Sequence, residues 1–154
     1  MSGRSVEHAT FVLERRYDVS PERVFAAWAD PEAKARWFVG PEAMFELDFR
    51  VGGLERSRGT APDGNAFSYE ALYQDIVPAE RIVYTYDMHL QATRISISLA
   101  TVEFRPVGDN DTCLVFTEQV AFLDGHELPA RRAGGWGSLL DALGRVVQSE
   151  APEA

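Results

Sequence analysis

The chain has 154 residues, 45% of them hydrophobic, enough to bury a core without a disulfide or a structural metal. Its formal net charge of −9 sets it against nucleic-acid phosphates and anionic membrane surfaces, so neither is an expected partner. One cysteine, Cys113, rules out an internal disulfide, and no apolar stretch has signal-peptide or membrane-spanning length, so a cytoplasmic protein is expected.

His8 to Val19 alternates loosely and predicts a first strand. Ser20-Pro21-Glu22 then reads as a helix start: a capping hydroxyl, a proline suited to the first helical position, and an acid near the positive end of the dipole. Val24, Phe25 and Trp28 form the inner face of that helix. Asp30-Pro31-Glu32 repeats the signal and predicts a second short helix, carrying Trp37 and Phe38 and stopping at Gly40-Pro41. Six strands are predicted next, near 43–50, 54–61, 66–77, 81–89, 93–105 and 112–121. They turn at Gly52-Gly53, Asp63-Gly64, Pro78-Ala79, 90–92 and 108–111. Gly-Gly and Asp-Gly allow the positive φ of tight hairpins, and connections this short make neighbouring strands antiparallel.

The last stretch is an amphipathic helix, with Leu139, Leu140, Leu143, Val146 and Val147 recurring at helical spacing after Trp136. Gly134, Gly135 and Gly137 would each cost a helix about 1 kcal/mol relative to alanine, so either its start lies near 135–138 or the backbone approaches the sheet closely there. Those glycines supply either packing space around Trp136 or a hinge. The order is β-αα-β6-α, one domain over 1–154 with ends 1–6 and 150–154 expected to fray. This is an α+β fold: a seven-stranded antiparallel sheet curved around a C-terminal helix, with room for a cavity between them.

No catalytic arrangement stands out. His8, His89 and His126 are far apart and have no partners at metal-ligand spacing. There is no phosphate loop, nucleophile elbow or dinucleotide-binding glycine fingerprint. No metal, cofactor or catalytic residue is expected, and nothing in the sequence requires an enzyme. Cys113, inside a strand with no adjacent base, reads as a buried inert thiol.

Period two assigns strand faces. Arg94, Ser96, Ser98, Ala100, Val102 and Phe104 share one side of the sixth strand, with Ile95, Ile97, Leu99, Thr101 and Glu103 opposite. In the seventh, Leu114, Phe116, Glu118 and Val120 oppose Cys113, Val115, Thr117 and Gln119.

Several segments together resemble the START-like (SRPBCC) superfamily, whose shape is the helix grip, and within it the activator of Hsp90 ATPase homologue-like family. They are Ser20-Pro21-Glu22-Arg23-Val24-Phe25-Ala26-Ala27-Trp28 with Asp30-Pro31 and Arg36-Trp37-Phe38, and the Arg50-Val51-Gly52-Gly53 turn. Others are Ile76-Val77-Pro78-Ala79-Glu80-Arg81-Ile82-Val83-Tyr84, Thr101-Val102-Glu103-Phe104, and Asp111-Thr112 with Leu114, Phe116, Thr117 and Glu118. The last is Gly135-Trp136 with Leu139, Leu140, Asp141 and Leu143. The likeness implies that the Val102/Phe104 and Leu114/Phe116 side faces the terminal helix. Arg94, Ser96, Ser98 and Glu118 would then point inward unless a bulge shifts the parity. An Arg94–Glu118 pair would line the pocket; the alternative leaves both near strand ends in solvent.

Of Tyr69, Tyr73, Tyr84 and Tyr86, only Tyr69 and Tyr84 are expected to face the cavity. Trp37, Phe38 and Phe45 would close one end or simply pack the core. The candidate ligand-binding residues are Trp37, Phe45, Tyr69, Tyr84, Arg94, Ser98, Phe104, Phe116, Glu118, Trp136, Leu140 and Leu143. Ile95, Ile97 and Leu99 would lie on the outer face, either as the contact of a homodimer or buried by local twist. The expected function is binding of a small apolar or amphipathic molecule between sheet and helix. The alternatives implied by the resemblance are a polyketide cyclase or aromatase using Arg94, Tyr84 or Glu118, and a chaperone ATPase co-activator.

Overall fold

Both proline-led start signals open helices in the computed structural model, which describes residues 3–40, 43–60 and 63–149. Strand β1 (Val6–Tyr17) leads into α1 (Pro21–Ala29), where the Ser20 hydroxyl accepts from the Arg23 amide at 3.4 Å. Asp30 serves both helices: its amide donates to the Ala26 carbonyl, and its carboxylate accepts from the Ala33 amide at 2.9 Å to cap α2 (Pro31–Phe38). The Trp37 indole then donates to the Ala27 carbonyl at 2.9 Å and fixes the corner between the two. Helix α2 ends at Phe38, ahead of the expected Gly40-Pro41 stop; Pro41 itself lies outside the described residues.

The remaining strands are β2 (Met44–Leu47), β3 (Leu54–Thr60), β4 (Ala66–Val77), β5 (Arg81–Leu90), β6 (Thr93–Val107) and β7 (Asp111–Leu123). Only β2 is much shorter than predicted. Gly52 and Gly64 hold φ of 85° and 89° at the hairpins that the Gly-Gly and Asp-Gly pairs predict. The seven strands form one sheet in the order β1-β7-β6-β5-β4-β3-β2, every neighbouring pair antiparallel. Ser5 and Asp124 exchange hydrogen bonds and Val6 pairs with Leu123, so β1 is held into the stretch expected to fray. Residues 150–154, also expected to fray, lie outside the described residues. Cys113 is half-buried rather than buried.

The terminal helix α3 (Pro129–Ser149) begins well before the predicted start near 135–138 and runs through Gly134, Gly135 and Gly137. Pro129 supplies the start, and packing outweighs the cost of the glycines. Trp136, Leu140, Leu143 and Val147 join the same buried core as Phe104, Leu114 and Phe116 of the sheet. Two helical glycines let β1 come close: a Cβ at Gly137 would sit 3.1 Å from Arg15 Nη2, and one at Gly144 would sit 3.0 Å from Tyr17 Cε1. The Tyr17 hydroxyl donates to the Leu140 carbonyl at 2.8 Å and Arg15 pairs with Asp141 at 2.7 Å. Trp28 stacks on Trp136 at 6.2 Å and Trp136 on Phe116 at 4.3 Å, closing this end of the sheet–helix space. Among the described residues, no helix is long and apolar enough to cross a membrane.

Candidate functional site

Toward the other end of α3 the inner face of the sheet turns polar. In β3 the alternation is inverted: Glu55 and Ser57 are buried, while Leu54 is 36% exposed. Tyr69 and Tyr73 of β4, Tyr84 and Tyr86 of β5, and Ser96 and Ser98 of β6 also point inward and are buried. So does Glu118 of β7. Both buried glutamates lie directly across the ladder from an alanine, Glu55 from Ala71 and Glu118 from Ala100, whose methyl groups leave room for the carboxylates.

One bulge decides which side chains reach this face. In the β5–β6 pairing Met88 opposes Ser96 and His89 opposes Arg94, so Ile95 is an extra residue in β6. Ile95 and Ser96 are therefore both buried, and the alternation on the far side of the bulge is reversed. Arg94 faces outward, 52% exposed, and pairs with Asp87 at 3.0 Å. The expected Arg94–Glu118 pair is thus not formed. Ile95, expected on the outer face with Ile97 and Leu99, is 3% exposed, whereas Ile97 is 45% exposed.

Glu118 is met instead by Arg132 from α3, at 3.3 Å. The guanidinium forks onto Glu127 with bonds of 2.8 and 2.7 Å, and also donates to the Ser96 hydroxyl at 2.8 Å and the Tyr86 hydroxyl at 3.1 Å. The Tyr86 hydroxyl donates to Glu118, 2.7 and 2.8 Å from its two oxygens, and accepts from the Trp136 indole at 3.1 Å. Ser98 donates to Glu118 at 2.8 Å. Burial pushes the Glu118 carboxyl above the usual carboxylate range, with Tyr86, Arg132 and Ser98 pulling the other way. Burial also works against the Arg132 cation, but Glu127, Tyr86 and Glu118 outweigh it and hold its pKa above the ordinary value. Tyr86 gives its one proton and receives two, so its oxygen is fully committed.

A second buried pair sits deeper. Lys34 of α2 reaches Glu55 at 2.6 Å, with both side chains fully buried, and the Tyr73 hydroxyl donates to the same Glu55 oxygen. The Lys34 ammonium lies 4.6 Å from the Phe38 ring centroid and 5.0 Å from that of Trp28. Burial lowers the Lys34 pKa, opposed by Glu55. Around this pair, Glu55 Oε2, the Tyr69 and Tyr84 hydroxyls and the Trp28 indole nitrogen are buried without a hydrogen-bond partner.

Between α3 and the sheet, beside these clusters, lies a cleft of about 610 Å³. Its apolar walls come from Phe38 of α2, Phe67 and Tyr69 of β4, Met88 and Leu90 of β5, Ile95, and Trp136 and Leu139 of α3. Its polar side comes from Ser57, Tyr86, Glu127 and Arg132, with His126, Arg131 and Asp63 also lining it. Among the described residues no group of histidine, cysteine and carboxylate side chains could hold a metal ion.

Of the residues expected to line the space, Tyr69 and Trp136 do so. Ser98 and Glu118 lie behind Tyr86 in the hydrogen-bonded network. Trp37, Tyr84, Phe104, Phe116, Leu140 and Leu143 are core residues that do not border the cleft, and Phe45 is half-buried against Phe38 at 6.2 Å. Arg94 lies on the opposite face. Tyr86 replaces Tyr84 at the wall because it stands opposite Ala71, two residues nearer the open end of β5. The sequence reading missed Arg132, Glu127, Lys34 and Glu55. Pro129 was the available sign that 129–135 is helical and carries Arg132 inward.

A family model described as "Activator of Hsp90 ATPase homolog 1-like protein" matches residues 18–148. No curated protein matches the chain. Among solved structures, an uncharacterized protein from Rhizobium leguminosarum is 46% identical over 96% of this chain and 99% of its own, with a TM-score of 0.90. The Mll3558 protein from Rhizobium loti is 47% identical over 92% of this chain and 99% of its own, with a TM-score of 0.87. The CV1439 protein from Chromobacterium violaceum is 25% identical over 94% and 98%, with a TM-score of 0.73.

Proposed function

The chain belongs to the activator of Hsp90 ATPase homolog 1-like family, with the helix-grip fold of START-like proteins, and from that premise we propose that it binds a small amphipathic molecule between its sheet and α3. The observation that carries this reading is the cleft: about 610 Å³, walled by aromatic and aliphatic side chains, with a few polar groups on one side. That combination of apolar area and sparse, fixed polar groups is what small-molecule sites are built from.

Binding is favoured over turnover by the state of Tyr86. Its hydroxyl is held by Glu118, Trp136 and Arg132 and has no proton or lone pair to spare for a substrate. Arg94, which a cyclase-like reaction would have used on a carbonyl, faces away from the cleft. The network stiffens the wall instead of supplying an acid or base.

Native mass spectrometry of the protein purified from its own host is the direct test, and the expected result is a co-purified small molecule. Returning that molecule to stripped protein should raise the melting temperature, by mass action corresponding to about 2.7 kcal/mol at a hundred times Kd. Consumption of the molecule with release of a product would replace the binding reading with an enzymatic one. Stimulation of a chaperone ATPase by the added protein would favour the role named in the family's description.

A further inference from the structure

The two edges of the sheet differ sharply. At one, β2 is four residues long; at the other, β1 runs for twelve and pairs with β7 along one side. The register of β1 on β7 is unbroken, so the direction of every backbone group in it follows from one bond. The Asp124 amide donates to the Ser5 carbonyl at 2.7 Å, and these residues stand opposite each other when the register is continued by one. Odd-numbered residues of β1 therefore bond to β7. The amides and carbonyls of Val6, His8, Thr10, Val12, Glu14 and Arg16 point the other way. The Glu14 carbonyl fits this parity, since it accepts from the Arg15 guanidinium of its own chain at 2.9 Å. A long edge is a template for another strand, and proteins commonly shorten it, cover it or block it with proline. β1 contains no proline, and no strand lies beyond it among the described residues. Its charges sit toward its two ends. Its middle is apolar, with Phe11 and Leu13 half-buried against the core and Val12 56% exposed.

We infer that β1 pairs antiparallel with β1 of a second copy of this chain, about a two-fold axis at Phe11, joining two sheets into one. The charge pattern selects both the occupant and the register. Even residues must face even ones for their outward groups to bond, which also keeps like faces of the two sheets together. About Phe11, Glu7 of one copy faces Arg15 of the other and His8 faces Glu14, while residues 9–13 meet at the centre. An axis at Thr10 sets Arg4 against Arg16 and Glu7 against Leu13. An axis at Val12 sets His8 against Arg16 and Ala9 against Arg15. Of the three, the Phe11 axis alone opposes unlike charges. Arg15 holds Asp141, the Glu14 carbonyl and the Gly137 carbonyl with one N–H each, which leaves two of a guanidinium's five for the incoming carboxylate. No residue lining the cleft belongs to β1 or β7, so both copies keep the cleft open.

The test is sedimentation velocity across the micromolar range, which should show the mass doubling as concentration rises. Thr10→Pro removes an outward amide and no bond to β7, so it should keep the wild-type circular dichroism and sediment as a monomer. Glu7→Lys sets like charges opposite each other at both ends and should weaken association about tenfold. Ile97→Glu, on the outer face of the sheet, should leave association unchanged. Register is read by cysteine cross-linking in a Cys113→Ser background. A mixture of Thr10→Cys and Val12→Cys chains should cross-link under an added oxidant far better than either chain alone. A wild type that stays monomeric, a dimer that survives in folded Thr10→Pro, or one that is lost in Ile97→Glu would overturn the inference. So would a mixture that cross-links no better than its components, a result that decides the matter if Thr10→Pro fails to fold.

Discussion

Two buried carboxylates lie opposite alanines on the inner face of the sheet, Glu118 across from Ala100 and Glu55 across from Ala71, and they end in opposite states. Glu118 is reached by an arginine whose planar fork also ties Glu127, Ser96 and Tyr86, and both Glu118 oxygens have partners. Glu55 is reached by a lysine, a point charge that satisfies one oxygen and otherwise faces aromatic rings, while Oε2 and three neighbouring polar groups are unpaired. The first cluster is a closed structural brace. The second leaves hydrogen-bonding capacity unused, in buried groups packed behind the cleft wall.

The comparison breaks most sharply at Lys34. Lys34→Ala leaves Glu55 charged, buried and unpaired, and chemical denaturation should show a loss of about 3–5 kcal/mol, most of it recovered in Lys34→Met/Glu55→Leu. A loss below about 1 kcal/mol would mean that Glu55 has support the contacts above do not include. Arg132→Ala should cost somewhat less, about 2–4 kcal/mol, because Glu127 is nearer solvent and can rehydrate. Arg132→Lys should recover less than half of that, since an ammonium cannot span Glu127, Glu118 and Ser96 together.

The tyrosines sharpen the contrast further. Tyr86→Phe removes a hydroxyl that serves Glu118, Trp136 and Arg132 and should cost about 1–3 kcal/mol in the same assay. Tyr84→Phe removes a buried hydroxyl that has no partner and should be neutral or slightly stabilising. Equal losses for the two would erase the distinction drawn between the clusters.

The smallest effect is in pH dependence. Burial holds the folded-state pKa of Glu118 above its unfolded value near 4.5. Its contribution is therefore complete below that unfolded value and is lost as pH rises through the raised one. The stability of wild type minus that of Glu118→Gln should fall with rising pH across this window. A difference that rises instead would mean that the bonds from Tyr86, Ser98 and Arg132 outweigh burial.

The architecture was legible because its signals are local. Ser20 and Asp30 cap helices by their own side chains, short glycine-containing turns enforce hairpins, and every predicted strand exists. The site was less legible because its partners meet through non-local facts. A bulge at Ile95 turns Arg94 outward with no mark in the residues around it, and that single shift moves the expected ion pair to the wrong face. Arg132 was hidden because the glycines after it argue against a helix that Pro129 had already begun. Lys34 and Glu55 look like surface residues by type; only the pairing of α2 with an inverted β3 makes their burial tolerable.

The glycines of α3 carry one more lesson. Nothing lies within 4 Å of the position a Cβ would take at Gly134 or Gly135, so alanine would fit at both and strengthen the helix by up to about 1 kcal/mol each. The helix forgoes that reinforcement in the turn between Arg132 and Trp136, at the cleft, while its other half is clasped to β1 through Tyr17 and Arg15. Both ends of the rod are thus fixed from outside the helix, one by β1 and the other by the bonds of Arg132 and Trp136 to the sheet.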